Sequence, residues 1–296
     1  MSKKRVNSTA LKSESGCAYE SASTCCGEWL VQQLNHPQVV IIDCRFQLSD
    51  SNWGYQQYCQ SHIPGAHYLD LNRDLSSPVQ LHGGRHPLPD VNLLAQKLAS
   101  IGIVHNETMI IAYDDSRLAF AARLWWLLRY LGHESVALLD GGWTQWQQAG
   151  YPITSDIPKF RQGKFGPLLQ ADWTVDIAAV KVRQDLDLPS TILVDSRSRD
   201  RYEGKQEPID PIAGSIPGAV NSPWKQVSDE QGYVLPIQEQ QKLWSAYSSA
   251  AEIIVYCGSG VTACVNLFSL QLAGFNNTKL YPGGWSDWCS YFSSGI

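Results

Sequence analysis

Short apolar runs alternate along this chain with longer stretches whose apolar positions recur every three or four residues. Val39–Asp43, Met109–Tyr113, Thr191–Val194 and Ile253–Tyr256 are too short for helices and rich in branched side chains, so they predict buried strands. Glu28–Leu34, Ala119–Leu131 (with Trp125 and Trp126) and Val175–Leu186 predict helices. A further helix is expected from Val261, because apolar side chains fall at 261, 264, 265, 268 and 272. Strands alternating with helices predict an α/β fold, mainly parallel sheets flanked by helices. The stretch Tyr151–Asp172 holds Pro152, Pro158, Pro167, Gly163 and Gly166, a composition that predicts a linker.

The pattern is written twice. Ile41-Ile42-Asp43-Cys44-Arg45 recurs as Leu193-Val194-Asp195-Ser196-Arg197, an offset of 195 − 43 = 152. His62-Ile63-Pro64-Gly65-Ala66 recurs as Ser215-Ile216-Pro217-Gly218-Ala219, offset 217 − 64 = 153, and Gly141-Gly142-Trp143 as Gly283-Gly284-Trp285, offset 283 − 141 = 142. Offsets this close across more than a hundred positions identify a tandem duplication. The expected organisation is a tail over 1–22, a first domain over 23–150, a linker over 151–173 and a second domain over 174–296.

Composition narrows the class. The 296 residues are 44% hydrophobic with 11 Trp and 13 Tyr, enough for two packed cores. A net charge of −5 with no basic run argues against nucleic acid or a membrane surface as partner. No apolar stretch approaches the ~20 residues of a membrane span. The eight cysteines are irregularly spaced without a C-x-x-C pair, which indicates neither a zinc site nor a disulfide framework. Reduced thiols and a cytoplasmic protein are the expectation.

Cys257 is the candidate for chemistry. It follows the strand Ile253–Tyr256, and Gly258 and Gly260 permit a tight turn into the next helix. Such a loop turns backbone N–H groups inward at a helix N-terminus, which favours a thiolate and a bound anion. The plain alternative is a buried structural cysteine. A phosphatase loop needs an Arg six positions after the nucleophile, and that position holds Ala263. A cysteine protease needs a paired His, and the second half contains none. In the first half, the repeat sets Asp114 opposite Cys257 (257 − 114 = 143), in a loop without glycine. The first half is therefore expected to be inactive and to wall a cleft between the domains.

The run Cys257-Gly258-Ser259-Gly260-Val261-Thr262-Ala263 resembles the active-site loop of the rhodanese superfamily, in the form carried by 3-mercaptopyruvate sulfurtransferases. With the other landmarks, the resemblance extends from about residue 26 to the C-terminus. It implies two tandem rhodanese-like domains and transfer of a sulfane sulfur from mercaptopyruvate or thiosulfate through a Cys257 persulfide. The implied acceptors are a thiol, a thioredoxin-like protein or cyanide, with no metal and no organic cofactor. Gly258, Gly260, Val261 and Thr262 would hold the persulfide and Arg201 the donor's negative charge. Ser259 would either bond the thiolate or satisfy the turn. The family's relay carboxylate, eight residues after the Pro of H-I-P-G, is replaced by Asn72, with Asp70 two residues earlier. A second carboxylate-binding Arg is replaced by Asp210, and Arg85 is a candidate to approach the cleft. Gly258 and Ser259 stand where animal-type thiosulfate enzymes carry basic residues. Activity on both donors, modestly favouring mercaptopyruvate, is the expectation. Thiosulfate:cyanide transfer as the main activity, or a non-catalytic persulfide carrier or redox sensor, are the alternatives.

Overall fold

The computed structural model describes residues 23–185 and 190–292. The expected tail over 1–22 and the C-terminal end of the Val175–Leu186 helix lie outside the described residues. In chain order the strands are β1 (Thr24–Cys25), β2 (Val39–Asp43), β3 (His67–Tyr68), β4 (Met109–Tyr113), β5 (Val136–Leu139), β6 (Thr191–Asp195), β7 (Val220–Asn221), β8 (Glu252–Tyr256) and β9 (Thr278–Leu280). They form a five-stranded sheet, β1-β5-β4-β2-β3, and a four-stranded sheet, β7-β6-β8-β9. Every strand pair is parallel. The second order repeats the first once the isolated parallel bridge Thr174–Leu280 is seen as the counterpart of β1 on β5.

The long strands carry almost continuous apolar sequence because helices cover both faces of a parallel sheet. Ile41, Ile111 and Ala137 point to one side of the first sheet, and Ile42, Ile110 and Leu138 to the other. The linker is not loose where it leaves the first domain. It makes isolated bridges Ile101–Arg161, Val104–Lys164 and His62–Thr154, which lay it along that domain.

Two helices join the halves: Ala121–Tyr130, which follows β4, and Ala263–Leu272, which follows β8. Trp125 meets Phe268 edge-on, with ring centroids 5.2 Å apart, and both are buried. One apolar cluster therefore runs through both domains. Burying each such side chain contributes about 1.5–3 kcal/mol. Since each helix begins where a β4 or β8 loop ends, this packing sets the two repeated loops side by side.

Candidate active site

Cys257 is the first residue after β8, and its chain continues through Thr262, which caps the Ala263–Leu272 helix. Gly260 has φ of 71°, and a Cβ there would drive into the carbonyl oxygen of Pro282. The N–H groups of residues 258–262 donate to no protein acceptor among the described residues. Five consecutive free donors at a helix start make a cradle for negative charge. The loop is held from behind: the Cys257 carbonyl accepts Trp285 N at 2.8 Å and the Gly258 carbonyl accepts Ser286 N at 2.9 Å. A side chain on Gly284 would strike the Cys257 carbonyl, which explains why the repeated motif is Gly-Gly-Trp. The cysteine is only 2% exposed and lines a cavity of about 680 Å³ between the domains. Gly258, Ser259, Val261, Thr262, Arg85 and Arg201 line it too.

The matching loop of the first domain has the same construction with a different filling. The Asp114 carboxylate accepts Ser116 N at 2.9 Å and Leu118 N at 3.0 Å on one oxygen, Phe120 N and Ala121 N at 2.8 Å on the other. Burial pushes this carboxyl up while the four amides pull it down. That loop contains no glycine to help it aim its amides. It aims them nonetheless, because Arg117 and Leu118 adopt φ of 56° and 70°. Trp143 N donates to the Asp114 carbonyl at 2.8 Å as Trp285 N does to Cys257. The first loop thus holds an anion of its own.

Positive charge reaches Cys257 from outside its loop. A Cβ on Gly258 would lie 2.9 Å from Arg85 Nη2 and 3.5 Å from Arg201 Nη2, so glycine makes room for both guanidiniums. The basic residues missing beside the cysteine are thereby supplied by the first domain and by the Arg199–Tyr202 turn. The sequence-based argument that this loop is poor in charge is corrected accordingly. Both guanidiniums are already engaged. Arg201 donates to Glu207 at 2.7 and 3.1 Å and to Asp210 at 3.1 Å, and Arg85 is paired with the other oxygen of Asp210. Asp210 is the buried bridge between them. Arg197 and Arg45 are bound to Asp195 and Asp43, each at 2.6 Å, and brace the strand ends.

Ser259 Oγ lies 2.7 Å from His86 Nδ1, and both residues are buried. No histidine exists in the second half, but the first domain's loop delivers one. That loop docks through Gly83 N on Asp287 at 2.7 Å, Arg85 N on Ser286 Oγ at 3.1 Å, and His82 stacked on Tyr291. Burial, then the charges of Arg123 and Arg85, push His86 down to about 3, so its imidazole is neutral near pH 7. His86 carried no motif in the sequence; its place three residues after Gly83 in a glycine loop was the only hint.

Two candidates fall outside. Asp70 is buried, but its oxygens accept Asn72 N and Arg73 N at 2.9 and 3.0 Å and the Tyr68 hydroxyl at 3.2 Å, so it closes a turn. Asn72 is exposed, and neither residue lines the cavity. Among the described residues no group of three His, Cys, Asp or Glu side chains is placed to hold a metal, and no helix is long and apolar enough to cross a membrane.

The Rhodanese-like domain family matches residues 27–149 and 178–291. A probable 3-mercaptopyruvate sulfurtransferase of Pseudomonas aeruginosa is 42% identical over 90% of this chain and 95% of that protein. A putative thiosulfate sulfurtransferase of Mycobacterium tuberculosis is 34% identical over 85% of this chain and 88% of its own length. The solved 3-mercaptopyruvate sulfurtransferase from Leishmania major superposes with a TM-score of 0.77 at 27% identity, covering 94% of this chain and 77% of that one. The chain belongs to the rhodanese family, as a sulfurtransferase built from two rhodanese-like domains.

Proposed function

We propose that Cys257 carries the transferred sulfur and that 3-mercaptopyruvate is the preferred donor, with thiosulfate a second substrate. The observation that carries the reading is the pair of equivalent cradles: one encloses the Asp114 carboxylate, the other opens on Cys257 with its amides unspent. A persulfide anion on Cys257 would take the place that the carboxylate takes in the first domain. Preorganised amides stabilise such charge without reorganising.

In the first half-reaction the Cys257 thiolate attacks the donor's sulfur. With mercaptopyruvate the carbon–sulfur bond breaks, its electron pair moves onto carbon as the pyruvate enolate, and a proton then gives pyruvate. With thiosulfate the sulfur–sulfur bond breaks and sulfite leaves with the pair. In the second half-reaction an acceptor thiolate or cyanide attacks the outer sulfur and Cys257 leaves as thiolate. The sulfur rides on the protein, so ping-pong kinetics follow and the scheme calls on no cofactor. Ser259, held by neutral His86, is placed to bond the carbonyl oxygen on which enolate charge develops, a role thiosulfate cannot use. Arg85 and Arg201 face the donor's negative group. Thiosulfate keeps a claim because these two cations flank Gly258. Free thiols at Cys44, Cys257 and Cys264 fit a reducing compartment, the cytoplasm.

Initial rates with both donors and a thiol acceptor test the reading, together with peptide mass spectrometry after donor treatment. The expected result is activity on both, a higher kcat/KM for mercaptopyruvate, and an added sulfur on Cys257. Cys257→Ser should abolish transfer. Sulfur on a different cysteine, or a thiosulfate kcat/KM well above that for mercaptopyruvate, would overturn it.

A further inference from the structure

Arg123 sits on the Ala121–Tyr130 helix of the first domain, wholly buried under the Cys257 loop. It has no carboxylate partner among the described residues. Its guanidinium instead donates to carbonyls from three segments: Gly260 at 3.1 Å, His86 at 3.2 Å, and Leu75 and Pro87 at 3.5 Å each. Its Nε hydrogen has no partner. An arginine does not shed its proton, and burying an unpaired cation is costly, so a position like this calls for an anion. Carbonyl dipoles meet part of that demand and leave the net charge in place.

We infer that Arg123 is a positioning residue for sulfur transfer: it ties the Gly260 and His86 carbonyls together across the domain interface and presents a buried positive charge whose counter-anion is the sulfur on Cys257. Two of the groups it holds belong to the machinery already described, since Gly260 shapes the cradle and His86 orients Ser259. The neighbouring thiol, Cys264, donates to the same Gly260 carbonyl at 3.4 Å and is pushed up to about 12 by burial, so it stays protonated and does not supply the anion. The other charges around Cys257 nearly cancel. Arg85 and Arg201 are matched by Asp210 and Glu207, and His86 is neutral. Arg117 and Lys225 also line the cavity without a carboxylate partner among the described residues, but neither is buried. The buried unmatched charge is that of Arg123, and the anion that matches it exists when Cys257 is a thiolate or a persulfide. The inference deepens the Cys257 reading and rests on it.

The test is the pH dependence of Cys257 alkylation, followed by peptide mass spectrometry in the unmodified protein, Arg123→Met and Arg123→Lys, with kcat measured alongside. Arg123→Met should move the alkylation midpoint up by about one pH unit, a tenfold loss of reactive thiolate below it. Arg123→Lys keeps the charge but gives up the fork of contacts. Its midpoint should stay within about 0.3 of a unit while kcat falls roughly tenfold at nearly unchanged KM. Arg123→Met with an unmoved midpoint overturns the proposal. Should that variant not fold, Arg123→Lys alone decides: a midpoint displaced as far as a full unit, or an unchanged kcat, overturns it. Persulfide mapping on the unmodified protein separates the two claims. Sulfur on another cysteine defeats the Cys257 reading, whereas a flat midpoint on a Cys257 that does carry sulfur defeats only the role of Arg123.

Discussion

At the scale of single residues, Asp210 and His86 matter most after the cysteine. Asp210 ties Arg85 to Arg201, so an incoming donor anion competes with a carboxylate already in place. Asp210→Asn should free Arg85, leave Arg201 on Glu207 alone, and lower KM for both donors about tenfold. It should also cost about 3 kcal/mol of stability, because it breaks a buried pair. Steady-state kinetics beside denaturant unfolding measure both, and an unchanged or higher KM would sink the idea of internal competition. His86 contributes a pH effect whose sign is fixed by its neutral native form. The unfolded chain binds a proton on this ring near pH 6.5, the folded protein only at about 3. Stability is therefore lost as pH falls from about 6.5 toward 3, at up to ~1.4 kcal/mol per pH unit from this residue. His67 and His133, pushed down to about 4, act in the same direction. Asp115 and Asp140, raised to about 6 by burial, act against it between about pH 4 and 6. Comparing unfolding of the unmodified protein with His86→Gln at pH 7 and pH 5 cancels those shared terms. The gap between the two proteins should narrow at the lower pH, and parallel lines would refute the assignment.

At the scale of elements, the repeated strand–loop–helix unit explains both loops. The residue that follows β4 and the residue that follows β8 each have their carbonyl capped by the tryptophan N–H of a Gly-Gly-Trp turn, and each loop curls its amides inward. What differs is the anion. The Asp114 side chain spends its four acceptor sites inside its own loop. Asp114→Ala would strand those amides and should destabilise the protein by about 3 kcal/mol. It should also leave a cradle that an added oxyanion can refill. Thermal unfolding with and without sulfate checks this: a larger rise of Tm with sulfate in the variant than in the unmodified protein is the expected result, since the Cys257 cradle can take the ion in both.

At the scale of the whole molecule, the second half does not enclose the Cys257 site by itself. Cys257, Ser259 and Arg201 come from the second domain, while Arg85, His86 and Arg123 come from the first. The two helices that carry the loops bury Trp125 and Phe268 against each other, so separation would expose a large apolar face. Residues 174–296 produced alone retain the cysteine loop but should transfer sulfur at least a hundredfold more slowly than the full chain, from the loss of about 3 kcal/mol of transition-state contacts. Activity near that of the full chain would show that the first domain is only a wall.

The amino-acid sequence by itself determined the four longest strands, because runs such as Val39–Asp43 and Met109–Tyr113 carry their signal locally, and both appear with those bounds; the shorter β1, β3, β5, β7 and β9 were not legible in it. It also determined the duplication, and through the Asp114–Cys257 equivalence it singled out the second half for sulfur chemistry. The helix starts were blurred. Ala119–Leu131 begins at Ala121, since residues 116–120 are drawn into bonding Asp114, and the helix expected from Val261 begins at Ala263. Tertiary structure alone decided what surrounds Cys257. His86 meets Ser259 across 173 residues of chain, Arg85 finds room only because residue 258 lacks a side chain, and Asp210 closes the pair of arginines rather than opposing them from a distance. Periodicity and turn chemistry report on neighbours within a few residues, whereas these contacts are made by docking one sheet's loops on another's. Asp70 and Asn72 show the same limit from the other side, for motif spacing put them near the cleft and the local Asx turn kept them out of it.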